Sequence, residues 1–193
     1  MTTRPYNILQ TQLTVVLLFA AVARSRADEK SEAKNHLQMI VTASKNYRAE
    51  YAVWPSVVER ATNTSRPAKD ITVGDPSLGA AYHNSALFNV LRSIALTSNA
   101  ENANNPRRIV FFETRDVPDP ANPSSGFINT KTPDSDQLGC LIDPWGREYF
   151  IRFDYDESGS VEGPGGIIVK AGMAAWSLGP DGKPGTNDDI TLW

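Results

Sequence analysis

The residues best suited to chemistry lie near the end of the chain, where oxygen-bearing side chains are concentrated in residues 178–189. Carboxylates stand at Asp181, Asp188 and Asp189, an amide stands at Asn187, and the single base among them is Lys183. Calcium takes about six to eight oxygen ligands from carboxylates, amides and backbone carbonyls, and it tolerates irregular geometry. The composition of this loop predicts a site for a hard cation, and the alternative is a solvated acidic turn.

A second acidic segment, Asp154-Tyr-Asp-Glu-Ser-Gly159, copies the start of an EF-hand loop. It has acids at the first and third positions and Ser at the fifth. The twelfth position is Gly165, whereas an EF-hand needs a bidentate Glu there. We therefore predict a polar hairpin turn between two strands rather than a metal site.

The sequence contains no recognisable catalytic motif. Its two histidines, His36 and His83, and its one cysteine, Cys140, are too few for a zinc cluster of Cys and His. Neither a Gly-x-Ser-x-Gly nucleophile motif nor a glycine-rich phosphate loop occurs. We expect both histidines to be surface or capping residues, and Cys140 to pack as a small apolar side chain. The prediction is a protein without enzymatic activity.

The composition indicates one folded domain with an added arm. The chain has 193 residues, of which 40% are hydrophobic and 21% are charged, and this mix permits a buried core. Lys and Arg number 19 against 22 Asp and Glu, which gives a net charge of −3. Because no positive field would attract phosphate groups, we expect no nucleic-acid partner.

Residues 1–27 are predicted to be an apolar anchor or a signal-like segment. Their uninterrupted apolar core is residues 13–23, which is shorter than the about 20 residues that a bilayer-spanning helix needs. Ala21-Val-Ala23 and Ser25-Arg-Ala27 both place small residues where an export cleavage site has them. Retention as an anchor and removal as a signal peptide both remain open.

Residues 28–55 are predicted to be the amphipathic continuation of one long helix. No Gly or Pro interrupts residues 6–53, and Trp54-Pro55 ends the helical pattern. Apolar and small residues recur at spacings of three and four, which places them on one helix face. They are Ala33, Leu37, Ile40, Ser44, Tyr47 and Tyr51.

Residues 56–193 are predicted to form a globular head. A second helix is expected from Asn84 or Ser85 to about Ser98, with an apolar stripe of Leu87, Phe88, Leu91, Ile94 and Ala95. A long loop rich in Pro is expected over residues 116–135. Strands are expected over residues 108–113, 148–153, 166–170 and 173–178, the last three as an antiparallel meander. The predicted fold class is α+β, with a long N-terminal α-helix packed on a small antiparallel β-sheet.

Three features together resemble a known family. They are the apolar segment that continues into a long helix ending at Trp54-Pro55, the turn Asp143-Pro-Trp-Gly146, and the end Ser177-Leu-Gly-Pro-Asp-Gly-Lys-Pro-Gly-Thr-Asn-Asp-Asp-Ile-Thr-Leu-Trp193. The chain resembles the type II secretion major pseudopilins, the G subunits, over residues 138–193 and more weakly over residues 24–55. The resemblance implies a pilin-like fold and a structural role in a filament of identical subunits, together with other pseudopilins. It also implies an inner-membrane anchor with the head in the periplasm.

The resemblance also implies a set of calcium ligands. In the family, a loop of this type binds one calcium ion, and the matching positions are the carbonyls of Leu178 and Gly185 and the side chains of Asp181, Asn187 and Asp189. Asn187 stands where the family has an acid. The neighbouring Asp188 lies one residue out of register, either as a substitute ligand or as a group beside the ligands.

The start of the chain departs from the family pattern. No Gly precedes Gly74, although the family has a Gly at its cleavage site, and Gln12 stands in the apolar segment where a Glu is expected. An alternative interpretation is therefore an exported, soluble pilin-like binding module, secreted or periplasmic, whose signal peptide is cleaved.

Overall fold

The computed structural model describes residues 6–58, 67, 69–129 and 136–193, with side chains in the first helix described from Arg26 onward. The described residues form two α-helices, α1 (Tyr6–Tyr51) and α2 (Ser85–Leu91). Short 3-10 helices cover Pro76–Leu78, Thr97–Asn102 and Pro164–Gly166. The strands are β1 (Ile71–Val73), β2 (Gly126–Phe127), β3 (Leu141–Ile142), β4 (Phe150–Phe153), β5 (Val161–Glu162), β6 (Ile168–Val169), β7 (Met173–Ser177) and β8 (Ile190–Leu192).

The first helix, α1, is one continuous helix of 46 residues, as the absence of Gly and Pro predicts. The predicted apolar face is buried from Ala33 to Tyr47, and Tyr51 is half-buried. The helix ends where Ala52 adopts a φ of 60°, just before Trp54. The apolar stretch at residues 13–23, predicted to be an anchor or signal, lies outside the side chains that the structure describes. In the described part of the chain, no helix combines the length and hydropathy needed to cross a bilayer.

A four-stranded antiparallel sheet supports the helix, in the order β1-β4-β7-β8. The central pair aligns Phe150 with Trp176 and Phe153 with Met173, and β8 aligns Ile190 with Ser177. The helix α1 packs on β7 and β8. The predicted α+β class, with a long helix on a small antiparallel sheet, is confirmed.

Both faces of this sheet are buried because its strands alternate between two apolar clusters. Ile151 and Phe153 of β4 face α1 and α2, where they join Leu37 and Phe88 in the main core. Residues of the opposite parity pack against the hairpin of β5 and β6. They include Phe150, Trp176 and the first loop residue, Leu178.

The predicted three-strand meander is wrong in its connections. The strand at residues 166–170 contracts to β6, which pairs with β5 in a separate hairpin, so that β7 pairs directly with β4. The edge strands β1 and β8, which were not predicted, complete the main sheet. The long loop predicted over residues 116–135 contains β2, which pairs with β3 beyond the loop. Residues 130–135 lie outside the described part.

Two further predictions for the head are wrong. The segment 108–113 belongs to no strand, and the N–H groups of Phe111 and Phe112 instead both bond to the carbonyl of Leu91 at the end of α2. The helix α2 ends at Leu91 rather than near Ser98, and Ser93 adopts a φ of 57°. Ile94 and Ala95 therefore lie outside the helix.

Candidate metal centre

The predicted cation loop, residues 178–189, connects the antiparallel neighbours β7 and β8. Its two ends approach each other closely at Gly179, which adopts a φ of 61°. A Cβ atom at this position would overlap the backbone carbonyl oxygen of Asp188. Glycine is therefore required here for both its conformation and its size.

Hydrogen bonds from the loop itself hold two of its acidic side chains, Asp188 and Asp189. The N–H of Asp181 donates to Asp188 Oδ2 at 3.0 Å, and the N–H of Gly185 donates to Asp189 Oδ2 at 2.7 Å. The hydroxyl of Thr186 donates to Asp188 Oδ1 at 2.5 Å. The Thr186 hydroxyl, which has the largest effect, and the N–H of Asp181 hold the pKa of Asp188 below its usual value.

The carboxylate of Asp189 lies in the environment least favourable to its negative charge. Its Oδ1 atom is buried and has no hydrogen-bond partner in the described structure, while Oδ2 is bonded. Burial raises the pKa of Asp189, and the negative charges of Asp188 and Asp181 raise it further. A cation at Oδ1 would supply the missing partner and cancel this repulsion, so the donor chemistry fits a hard cation.

The six predicted ligand residues occupy different environments. Asp181, Gly185 and Asn187 are exposed, Asp188 and Asp189 are half-buried, and the Leu178 side chain is buried in the second apolar cluster. Among the described residues, the three aspartates do not form a group whose ligand oxygens all lie within 4.8 Å of one another. Loop donors satisfy several of these oxygens instead, including the N–H of Lys183 at Asp181 Oδ1.

The Asp143-Pro-Trp-Gly146 turn contacts the base of this loop, a contact that the sequence analysis missed. The buried carboxylate of Asp143 accepts the Ser177 hydroxyl at 2.6 Å, and the same hydroxyl oxygen accepts the N–H of Gly179 at 3.1 Å. Arg147 donates from its guanidinium to the Gly179 carbonyl at 2.9 Å. The turn and the base of the loop are therefore joined in space, although 34 positions separate Asp143 from Ser177.

The EF-hand-like segment forms a turn, but not a hairpin. It connects β4 to β5, which lie in different sheets. Its carboxylates bond to the turn itself: Asp154 accepts the N–H groups of Ser158 and Gly159, and Asp156 also accepts that of Ser158. Oxygens of Asp70, Asp154 and Asp156 lie within 4.8 Å of one another. Burial and the charge of Asp156 raise the pKa of Asp70.

The predicted roles of the histidines are corrected by the structure. His36 is buried on α1, where its Nδ1 lies 3.0 Å from the Tyr149 hydroxyl. His83 precedes α2 and contacts Glu148 rather than capping the helix. Asn84, the predicted cap, uses its side chain to bind the backbone of Leu141 and Tyr149 instead.

No family model, curated protein or solved structure matches the chain.

Proposed function

We propose that this chain is a non-enzymatic structural subunit of a type II secretion pseudopilus or a related pilus-like filament, with a head stabilised by calcium. Its partners would be further copies of itself, other pseudopilins of the secretion system, and the inner membrane. The head would face the periplasm. The observation that carries this proposal is the continuous helix α1, of which the head covers the second part.

The dimensions of α1 support a rod that projects from the head. At a rise of about 1.5 Å per residue, its 46 residues span about 69 Å. The first buried residue in the described part of the helix is Ala33. Before it, Glu29 accepts the Trp145 indole N–H at 3.0 Å, and Glu32 pairs with Arg115 at 2.7 Å. These contacts fix the direction in which the helix leaves the head.

A filament would also explain the apolar sequence of residues 13–23. That stretch is shorter than a bilayer span, and apolar residues of this density need cover. Equivalent helices of neighbouring subunits would bury it side by side, as in helical bundles. The polar residues Gln10 and Gln12 would then lie among helices rather than in lipid.

Calcium would be held at the loop by the carbonyls of Leu178 and Gly185 and by the side chains of Asp181, Asn187 and Asp189, with Asp188 as a substitute or neighbouring group. When bound, the ion supplies positive charge where three carboxylates repel one another. The unpartnered Oδ1 atom of Asp189 supports this assignment. Closing the loop in this way would hold β8 beside β7, with which it pairs.

Cross-linking between first helices tests the filament proposal. We expect the full chain carrying Thr14→Cys to form disulfide-linked dimers on mild oxidation, both in mild detergent and after dilution into buffer. Ser158→Cys, an exposed site on the head, is the matched control and should cross-link far less. The native Cys140 is buried and gives a low background. A monodisperse monomer in which the two variants cross-link equally little would refute the proposal.

Thermal unfolding with calcium and with a chelator tests the metal part separately. Free calcium at about 100 times its Kd adds about 2.7 kcal/mol to the free energy of unfolding. For a chain of this size, that raises Tm by about 5–11 °C. Asp189→Asn should abolish most of this increase, and Asp156→Asn, on the other acidic turn, should not. Coincident melting curves with and without calcium would contradict the calcium assignment and leave the cross-linking result unaffected.

The second candidate function is an exported soluble binding module whose signal peptide is cleaved. It is favoured by a cavity of about 180 Å³ in the head, between the β5–β6 hairpin and the predicted cation loop. The cavity is lined by Phe150 and Trp176, whose rings stack at 5.6 Å. N-terminal sequencing separates the candidates: a mature start at Arg24 or Asp28 supports the module, and a retained residue 13–23 segment supports the subunit.

A further inference from the structure

Three potential metal ligands meet where α2, β3 and β4 begin, away from the predicted cation loop. His83 lies two residues before α2, Cys140 directly precedes β3, and Glu148 lies two residues before β4. One ligand atom from each lies within 4.8 Å of the others. The closest pair is His83 Nδ1 and Glu148 Oε1, at 2.6 Å. Neither the filament proposal nor the calcium proposal uses these residues.

We infer that His83, Cys140 and Glu148 form a mononuclear zinc site. Imidazole nitrogen, thiolate sulfur and carboxylate oxygen are the three ligand types that zinc takes from proteins. Three protein ligands leave the fourth tetrahedral position for water. Counting only Cys and His excludes a zinc site in this sequence, but the carboxylate of Glu148 supplies the third ligand.

Two of the three ligands are buried and the third reaches the surface. Cys140 and Glu148 are 0% and 1% exposed, whereas the His83 side chain is 28% exposed. A metal ion and its water ligand can therefore reach the site past the imidazole, whereas the thiolate and carboxylate ligands are buried. The thiolate and the carboxylate together carry a charge of −2, which a divalent zinc ion neutralises while the imidazole stays neutral.

Neighbouring groups already orient the carboxylate. Glu148 Oε2 accepts the N–H of Asn84 at 2.8 Å, which leaves Oε1 facing His83. The Gln137 side-chain amide also lies 3.4 Å from Oε1. Outer hydrogen bonds of this kind hold ligands in place in metal sites and strengthen binding. Zinc would replace the direct contact between His83 and Glu148 by bonds from both residues to the ion.

The same residues admit one competing explanation, a metal-free contact between His83 and Glu148 in which the Cys140 thiol is only a hydrogen-bonding neighbour of Glu148. The two explanations differ in the role of sulfur. In a zinc site the thiol loses its proton to solvent and binds the metal, whereas in a metal-free contact it remains a thiol. A spectroscopic signal from a metal–thiolate bond therefore separates them.

The test is a Co²⁺ titration of the full, untagged chain in mild detergent, reduced and freed of metal, followed by displacement with Zn²⁺. We expect one Co²⁺ per chain, with a thiolate-to-cobalt charge-transfer band in the near ultraviolet that one equivalent of Zn²⁺ removes. Cys140→Ser should eliminate the band, and the more exposed His83→Gln should weaken Zn²⁺ binding by more than about 10-fold. Asp156→Asn, in the other cluster of potential ligands, is the matched control and should change neither.

Circular dichroism and melting curves establish that each variant is folded before it is titrated. Absence of the charge-transfer band in the wild-type chain would overturn the inference. So would Zn²⁺ binding that survives both Cys140→Ser and His83→Gln unchanged. Calcium should not compete with Co²⁺ for this site, so the result does not depend on the calcium assignment.

Discussion

The turn residue Asp143 offers the sharpest test of how the head is held together. Its carboxylate is 0% exposed and accepts the N–H groups of Trp145 and Arg147, each at 2.9 Å, as well as the Ser177 hydroxyl. These bonds and the Arg147 charge favour the ionised form. Burial outweighs them and raises the pKa of Asp143 to about 6, from an ordinary value of 3.8.

This shift fixes the sign and the size of a pH effect on stability. Because the folded chain binds the Asp143 proton more tightly than the unfolded chain, protonated Asp143 makes its full contribution to the free energy of unfolding below about pH 3.8. This contribution is lost as the pH rises through about 6. A difference of about 2 pKa units corresponds to about 3 kcal/mol in the free energy of unfolding. For a chain of this size, that amounts to about 6–12 °C in Tm.

The substitution Asp143→Asn isolates this effect. The amide oxygen can still accept the two backbone N–H groups, and the amide nitrogen can donate to the Ser177 hydroxyl oxygen, so the turn keeps its bonds. Urea unfolding, followed by tryptophan fluorescence, gives the free energy of unfolding of both proteins between pH 4 and pH 7. Because part of the effect is already lost at pH 4, we expect the variant to gain about 2.4 of the about 3 kcal/mol relative to the wild type across this range.

A control of opposite sign is available in Asp119→Asn. The exposed Asp119 accepts the side-chain amide of Asn122 and the N–H of Ala121, and the amide of Asn122 has the larger effect in lowering its pKa. Because this pKa lies below 3.8, the stabilisation by ionised Asp119 is present above about pH 4 and is lost only as the pH falls further. Asp119→Asn should therefore lose stability by a nearly constant amount between pH 4 and pH 7, whereas Asp143→Asn gains stability with pH. A difference between Asp143→Asn and wild type that stays flat, or falls, between pH 4 and pH 7 would refute the reasoning about Asp143.

Three further substitutions test individual contacts in the head, each by urea unfolding. Asn84→Ala removes three buried hydrogen bonds to the backbone of Leu141 and Tyr149 and should cost about 3 kcal/mol, and a loss below about 1 kcal/mol would contradict this role. Gly179→Ala should destabilise the chain by more than Gly159→Ala, because both have positive φ but only the first meets a backbone oxygen. Tyr155→Phe removes a buried bond to the backbone carbonyl after α1 and should cost about 1–3 kcal/mol.

The long helix could be predicted from the sequence because its signal is local. Ala33, Leu37 and Ile40 recur at the helical period, and the same residues are fully buried. The edge strands β1 and β8 carry no such signal, since each has only three residues. They exist because β4 and β7 offer them hydrogen-bonding partners, and that information is not local.

The segment 108–113 shows why β propensity alone can mislead. Its β-branched and aromatic residues suit burial as well as strand pairing. In the structure, the ring of Phe112 lies 5.0 Å from that of Phe88 and 5.8 Å from that of Phe127. The Phe112 side chain therefore packs between α2 and β2, and the backbone of the segment is bonded to the end of the helix.

The candidate sites show the same division between local and distant information. The acidic loop could be found by reading residues 178–189, but not the bond between Asp143 and Ser177. The meeting of His83 with Glu148 joins positions 65 residues apart, and no spacing rule predicts it. Ligand types can be counted in a sequence, but which of them meet depends on the fold.

The position of the acidic loop gives its closure a consequence for the whole molecule. The loop begins after Ser177 and ends before Ile190, and these two residues are paired across β7 and β8. Since β8 also packs on α1, any group that holds the ends of the loop together also holds an edge strand against the helix. The protonation state of Asp143 acts on the same Ser177 hydroxyl, so ion binding at the loop and titration of the turn should be coupled. If calcium binds, its effect on Tm should therefore differ between pH 5 and pH 7 in the wild type, and this difference should shrink in Asp143→Asn.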